Sequence, residues 1–204
     1  MNLVFDFGGV LFRWTPHEFM QRLLPVRAPD EAAAERLTKQ FFQGFTGDWA
    51  AFDRGTIGAP ELAQRIVRRT GLSRAEVDRV IDAVPHELQP LPDNVALLAR
   101  LRERGHRLFF LSNMPAPYAD HLEAAHAFVG WFEAGVFSSR VGLIKPEPAM
   151  FALAERRFGV GGDALLFIDD VAQNVEAAKA AGWQAVLFES AAQLEAELAA
   201  RGLT

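Results

Sequence analysis

Five short apolar runs, each stopping at a polar or glycine turn, constrain this chain more than any other feature. They are Leu3-Val4-Phe5 before Asp6-Phe7-Gly8-Gly9, Leu108 to Leu111 before Ser112-Asn113, Val136-Phe137 before Ser138-Ser139, Leu165 to Ile168 before Asp169-Asp170, and Ala185 to Phe188. Runs this short, with no polar alternation, suit strands buried on both faces, as in a parallel sheet. Helical patterns lie between them. Val95, Leu98 and Leu101 recur at helical spacing and Gly105 closes the pattern; Glu147 to Gly159 and Val171 to Gly182 also start on an acid or proline and stop on glycine. Alternating strands and helices predict an α/β fold with a doubly wound parallel sheet.

The alternation is interrupted once. From Trp14 to Pro85 the patterns are helical only: Pro16 to Leu24, Asp30 to Phe45, Pro60 to Thr70 and Ser73 to Ala83. Pro85, Pro90 and Pro92 mark the return. The expected organisation is an α/β core of residues 1–13 and 86–204 with a helical cap, 14–85, inserted after the first strand.

Half of the 204 residues are hydrophobic and seventeen are Phe, enough for a sizeable core. The net charge of -5 disfavours nucleic acid and anionic membrane surfaces as partners. Cysteine is absent, which excludes thiolate metal sites and a cysteine nucleophile. The first residues carry no basic stretch, and no apolar run approaches the ~20 residues of a membrane span. A soluble, cytoplasmic monomer or homodimer that takes a small-molecule substrate is expected.

In an open parallel sheet, ligands bind at the carboxyl ends of the strands. Asp6, Ser112 and Asp169-Asp170 all sit there, and Lys145 lies in the loop after the third run. Singly these residues have ordinary explanations: a turn former, a helix cap, a solvated lysine. Jointly they form a chemical set. A carboxylate attacking a phosphate monoester brings anion to anion, so a hard divalent cation such as Mg²⁺, held by an acid pair, must bridge them. An ammonium must offset the remaining phosphate charge, and a hydroxyl with backbone N–H groups must hold the phosphoryl oxygens. Asp6 as nucleophile, Asp170 with Asp169 as metal ligands, Lys145 and Ser112 fill these roles, through an aspartyl-phosphate intermediate.

Asp6-Phe7-Gly8-Gly9-Val10-Leu11, Leu111-Ser112-Asn113, Gly142 to Pro148 and Phe167 to Asn174 resemble, in order, the four motifs of the haloacid-dehalogenase-like superfamily. Trp49 to Ile57, with Asp53-Arg54-Gly55, resembles a turn in the helical cap of one subgroup. The pattern is similar to the glucose-1-phosphatase-like branch, near the phosphatase domain of soluble epoxide hydrolase. The resemblance implies a Rossmann-like core and a Mg²⁺-dependent phosphatase acting on a small phosphorylated metabolite, such as a sugar phosphate. It implies a metal site of Asp6, the Gly8 carbonyl, Asp170 and Asp169, and phosphate contacts from Gly9, Ser112, Asn113 and Lys145. One departure stands out. Most phosphatases of this superfamily carry a second aspartate, the general acid/base, where this chain has Gly8, which leaves the leaving-group proton to a water or a cap residue. The alternatives are a metal-free 2-haloacid dehalogenase, against which the acid pair argues, and a catalytically weak binding protein. A phosphomutase fits least, because it must reprotonate a bound intermediate.

The cap cluster Arg65, Arg68, Arg69, Arg74 and Arg79 reads mainly as a solvated surface.

Overall fold

In the computed structural model, which describes residues 1–203, the five apolar runs form one sheet. Its strands are β1 (Asn2–Phe5), β2 (Arg107–Ser112), β3 (Ala134–Phe137), β4 (Leu165–Asp169) and β5 (Gln184–Leu187). All pair in parallel, in the order β3-β2-β1-β4-β5. Successive side chains point to opposite faces, so each strand feeds two cores. Leu3, Phe5, Leu108, Phe110, Leu166 and Ile168 belong to one apolar cluster; Val4, Phe109, Leu111, Leu165 and Phe167 belong to the other. Burial on both faces is why the runs show no polar alternation.

Six helices lie between β1 and β2: α1 (Pro16–Leu23), α2 (Glu31–Phe42), α3 (Gly47–Asp53), α4 (Ala59–Thr70), α5 (Arg74–Glu87) and α6 (Pro92–Glu103). Four more follow: α7 (Ala116–Ala125), α8 (Pro148–Phe158), α9 (Ala172–Ala180) and α10 (Ala191–Ala200). Residues of α6, α7 and α10 join the first cluster, and residues of α8 and α9 join the second. The sheet is therefore covered on both faces. The chain leaves β1 on one side for β2 and β3, then returns to its other side as β4. That reversal opens a crevice at the carboxyl ends of β1 and β4, the standard ligand position in such folds.

Two helices differ from the sequence reading. The pattern expected to run to Phe45 stops at Phe42, because Gln43 (φ 55°) and Gly44 (φ 60°) turn left-handed. The chain then starts α3, where a turn was expected. The helix expected to end at Ala83 continues to Glu87 through Pro85. Pro85 has no N–H to give to the carbonyl four residues back, Ile81. The Tyr118 hydroxyl of α7 donates to that carbonyl instead, at 2.7 Å, so the orphaned acceptor is satisfied from the core.

Candidate active site

Asp6 follows β1 directly. Its N–H continues the ladder to the Ile168 carbonyl at 2.9 Å, and its Oδ1 accepts the Phe7 N–H at 2.7 Å. Lys145, only 1% exposed, reaches it from the loop after β3: Nζ lies 2.9 Å from Asp6 Oδ1 and 2.6 Å from Asp169 Oδ2. Asn113, at the end of β2, sets the place of that lysine. Its Oδ1 accepts the Lys145 N–H at 2.8 Å, and its Nδ2 donates to the Lys145 carbonyl at 3.0 Å. The Asn113 side chain, expected to meet phosphate, holds the Lys145 backbone through its amide oxygen and one amide N–H.

The adjacent acids after β4 play different parts. Asp169 is fully buried and accepts hydrogen bonds from Lys145, from Val171 N at 2.8 Å and from Asn174 Nδ2 at 3.0 and 3.1 Å. Both its oxygens are occupied, which makes it an anchor for Lys145 and for the start of α9. Asp170 is exposed to the crevice. A β-carbon at Gly9 would lie 2.2 Å from Asp170 Oδ2, and Gly9 has φ 77°, so only glycine fits there. The Gly9 N–H donates to the Phe12 carbonyl at 2.8 Å, and the missing side chain gives Asp170 room.

Asp6, Asp169 and Asp170 each present an oxygen within 4.8 Å of the others. Lys145 is the one cation among them. Burial, then the charges of Asp169 and Asp170, push the Asp6 carboxyl up to about 7 despite Lys145. Lost hydration in the crevice and the charge of Asp169 raise Asp170 to about 6. Burial alone would lower Lys145, but Asp169 and Asp6 outweigh it and its pKa is raised. The cluster is short of positive charge. Its donors are hard oxygens, and Gly8, which lines the same cavity, has a carbonyl that accepts no hydrogen bond among the described residues. A small divalent cation fits both the charge deficit and the donor set.

A cavity of about 230 Å³ stands over these groups, lined by Asp6, Gly8, Ser112, Lys145 and Asp170 below and by helices of the 14–85 segment above. Asp53, the last residue of α3, also lines it. Burial, followed by the charge of Asp6, raises its carboxyl to about 7. Its neighbours fasten it to the core. The Ser138 hydroxyl donates to the Asp53 carbonyl at 2.5 Å, and Arg54 pairs with Glu147 and donates to the Gly142 carbonyl at 3.1 Å. Gly55 packs so close that a β-carbon would lie 2.5 Å from the Ser139 carbonyl oxygen.

Sequence reading placed Asp53 in a cap turn and gave it no role. The signal was present: Trp49 and Asp53 lie four apart, an acid on the face of α3 that carries its largest apolar residue. The clustered arginines of α4 and α5 stay out of the cavity, whose lining contains no arginine. Arg65 and Arg69 pair with Asp48, and Arg74 with Asp78.

Residues 1–182 match the model of the haloacid dehalogenase-like hydrolase family. The chain is 26% identical to a sesquiterpene phosphatase of Aspergillus oryzae over 88% of its own length and 85% of that protein. It is also 26% identical to an (S)-2-haloacid dehalogenase of Pseudomonas putida, over 82% and 75% respectively. Its fold is similar to that of a HAD family enzyme from Bacteroides thetaiotaomicron solved with magnesium and inorganic phosphate (TM-score 0.71, 21% identity, 92% of this chain and 93% of that one). With a match over so much of its length, the chain belongs to the haloacid dehalogenase-like hydrolases.

Proposed function

We propose that this hydrolase is a Mg²⁺-dependent phosphatase that cleaves a small phosphate monoester through an aspartyl-phosphate at Asp6, with residues 14–85 as its cap. The observation that carries this reading is the buried Asp6–Lys145–Asp169 array with Asp170 beside it. An aspartate nucleophile serves phosphatases and dehalogenases alike, and the relatives include both. Clustering a further acid against the nucleophile is costly unless a cation joins them. A dianionic phosphate ester also needs such a cation, whereas displacement of halide from carbon does not. Asp6, Asp170 and the Gly8 carbonyl would hold Mg²⁺, which would supply charge neutralisation at the phosphoryl group.

The chain's own groups divide the remaining work. Lys145 neutralises a phosphoryl oxygen and favours the ionised form of Asp6. Ser112 offers its hydroxyl to another phosphoryl oxygen. Asp6 Oδ attacks phosphorus, and the P–O bond to the alcohol breaks. Asp53, its carboxyl raised to about 7 by burial, gives the departing alkoxide its proton, the task for which Gly8 has no side chain. Water then attacks the aspartyl-phosphate, Asp53 takes the proton, and phosphate leaves with Asp6 restored.

The test is release of phosphate from p-nitrophenyl phosphate with and without Mg²⁺, beside halide release from 2-chloropropionate. Turnover that requires Mg²⁺ and Asp6 supports the proposal. Halide release indifferent to chelator would replace it with the dehalogenase reading.

A further inference from the structure

The cavity has two unlike halves. Its floor is polar: Asp6, Ser112, Lys145 and Asp170. Its walls are apolar and largely aromatic, including Trp14, Phe42, Trp49, Leu88, Met114 and Tyr118. The aromatic walls are braced against one another: Trp49 and Phe42 meet edge to face at 4.5 Å between centroids, and Trp14 and Phe42 at 5.4 Å.

Above the floor the polar lining is Asp53, Asn113 and Asn174, and the two amides are engaged, Asn113 with the Lys145 backbone and Asn174 with Asp169. Tyr118 turns its hydroxyl away, into the Ile81 carbonyl. Arg54, which follows Asp53 in sequence, is committed to Glu147. The carboxyl of Asp53 is the one charged side chain on the walls among the described residues.

A polyhydroxylated leaving group would lose hydrogen bonds to water on entering and find few replacements. Burying unpaired hydroxyls is costly, and a site built for a sugar normally supplies their partners. Apolar carbons lose nothing there and gain burial against the rings. We infer that the alcohol half of the substrate is apolar: the enzyme takes the phosphate monoester of a short alkyl, alkenyl or arylalkyl alcohol, in place of the sugar phosphate expected from the branch resemblance. A cavity of about 230 Å³ suits a compact group of this kind.

This inference rests on the phosphatase reading for its chemistry, but its recognition half can be measured without turnover. Trp14 and Trp49 line the cavity, so their fluorescence reports occupancy. Wild-type protein with Mg²⁺ is titrated with n-alkylphosphonates from methyl to hexyl, which cannot be hydrolysed. In parallel, kcat/KM is measured for the matching alkyl phosphates, a phenylalkyl phosphate, glucose 1-phosphate and glucose 6-phosphate. Affinity and kcat/KM are expected to rise ~4-fold for each added methylene until the walls are filled, the value of one buried CH₂. Trp49→Gln is expected to flatten that rise. If phosphonate affinity climbs with chain length while no ester is hydrolysed, the apolar recognition stands and the phosphatase reading falls. A flat chain-length series, or a glucose phosphate turned over faster than every alkyl phosphate, overturns the inference.

Discussion

Lys145 Nζ lies 2.9 Å from Asp6 Oδ1, and the lysine is shut off from solvent. A lone ammonium serving two buried carboxylates has no substitute nearby. In Lys145→Met both acids lose their counter-charge, and Asp6 shifts toward its neutral, non-nucleophilic form. Loss of one such electrostatic contact in an active site typically costs ~10²- to 10³-fold in rate. Phosphate release from p-nitrophenyl phosphate should fall by at least that much in Lys145→Met. Turnover within tenfold of wild type would remove Lys145 from the mechanism.

The two neighbouring acids are expected to fail in different ways. Asp169→Asn removes the buried charge that anchors Lys145, and breaking a buried pair typically costs ~3–5 kcal/mol. Thermal unfolding should show that loss with or without Mg²⁺. Asp170→Asn removes an exposed, raised carboxyl, so the metal-free fold should be no less stable. Calorimetric titration should instead show Mg²⁺ affinity weakened at least tenfold. The same phenotype from both variants would contradict the division of labour drawn from their hydrogen bonds.

Acid titration carries its own signature. Asp6 and Asp53 sit near 7 and Asp170 near 6, all raised from an ordinary 3.8. Between 3.8 and those values the folded chain holds protons that the unfolded chain has lost. These groups therefore make the metal-free protein less stable as pH rises through that window, the reverse of a salt-bridged carboxylate. In the proposed site Mg²⁺ would bind the ionised acids and relieve the penalty. The Mg²⁺-induced rise in Tm should thus be larger at pH 8 than at pH 5.5. An equal rise at both pH values would mean that the ion binds elsewhere.

Asp53 should matter in proportion to the leaving group's need for a proton. General acid catalysis is typically worth ~10²- to 10⁴-fold. In Asp53→Asn, kcat/KM for alkyl phosphates should fall by that order, while p-nitrophenyl phosphate, whose phenolate leaves unaided, should stay within about tenfold. A plot of kcat/KM against leaving-group pKa should be shallow in wild type and steep in the variant. Parallel plots would show that Asp53 shapes the cavity without moving the proton.

Most of the core was legible because its signals are local. Leu3 to Phe5 and Leu165 to Ile168 are uninterrupted apolar runs, and Asp6, Ser112 and Asp169-Asp170 stand at strand ends, where the topology of a parallel sheet makes them converge. The segment between β1 and β2 was less legible because its determinants are tertiary. A proline inside α5 reads as a stop unless the Tyr118 hydroxyl is known to satisfy Ile81. Asn113 reads from sequence as a phosphate contact, and only the fold shows that its amide also binds the Lys145 backbone. Asp53 gains meaning only when Ser138, Glu147 and Ser139 pull its turn against the core. The apolar walls gather residues from Trp14 to Tyr118, a convergence without any repeating spacing.

Covalent chemistry at Asp6 is the centre of the account, and one measurement addresses it directly. Wild-type and Asp53→Asn proteins are mixed rapidly with Mg²⁺ and an alkyl or aryl phosphate, quenched in acid, digested and weighed by mass spectrometry. The expected result is one added phosphoryl group on the peptide carrying Asp6, absent in Asp6→Asn and longer-lived in Asp53→Asn, where the activating base for water is gone. Steady release of phosphate with no phosphoryl group ever found on that peptide, or with the group found on another residue, would contradict it.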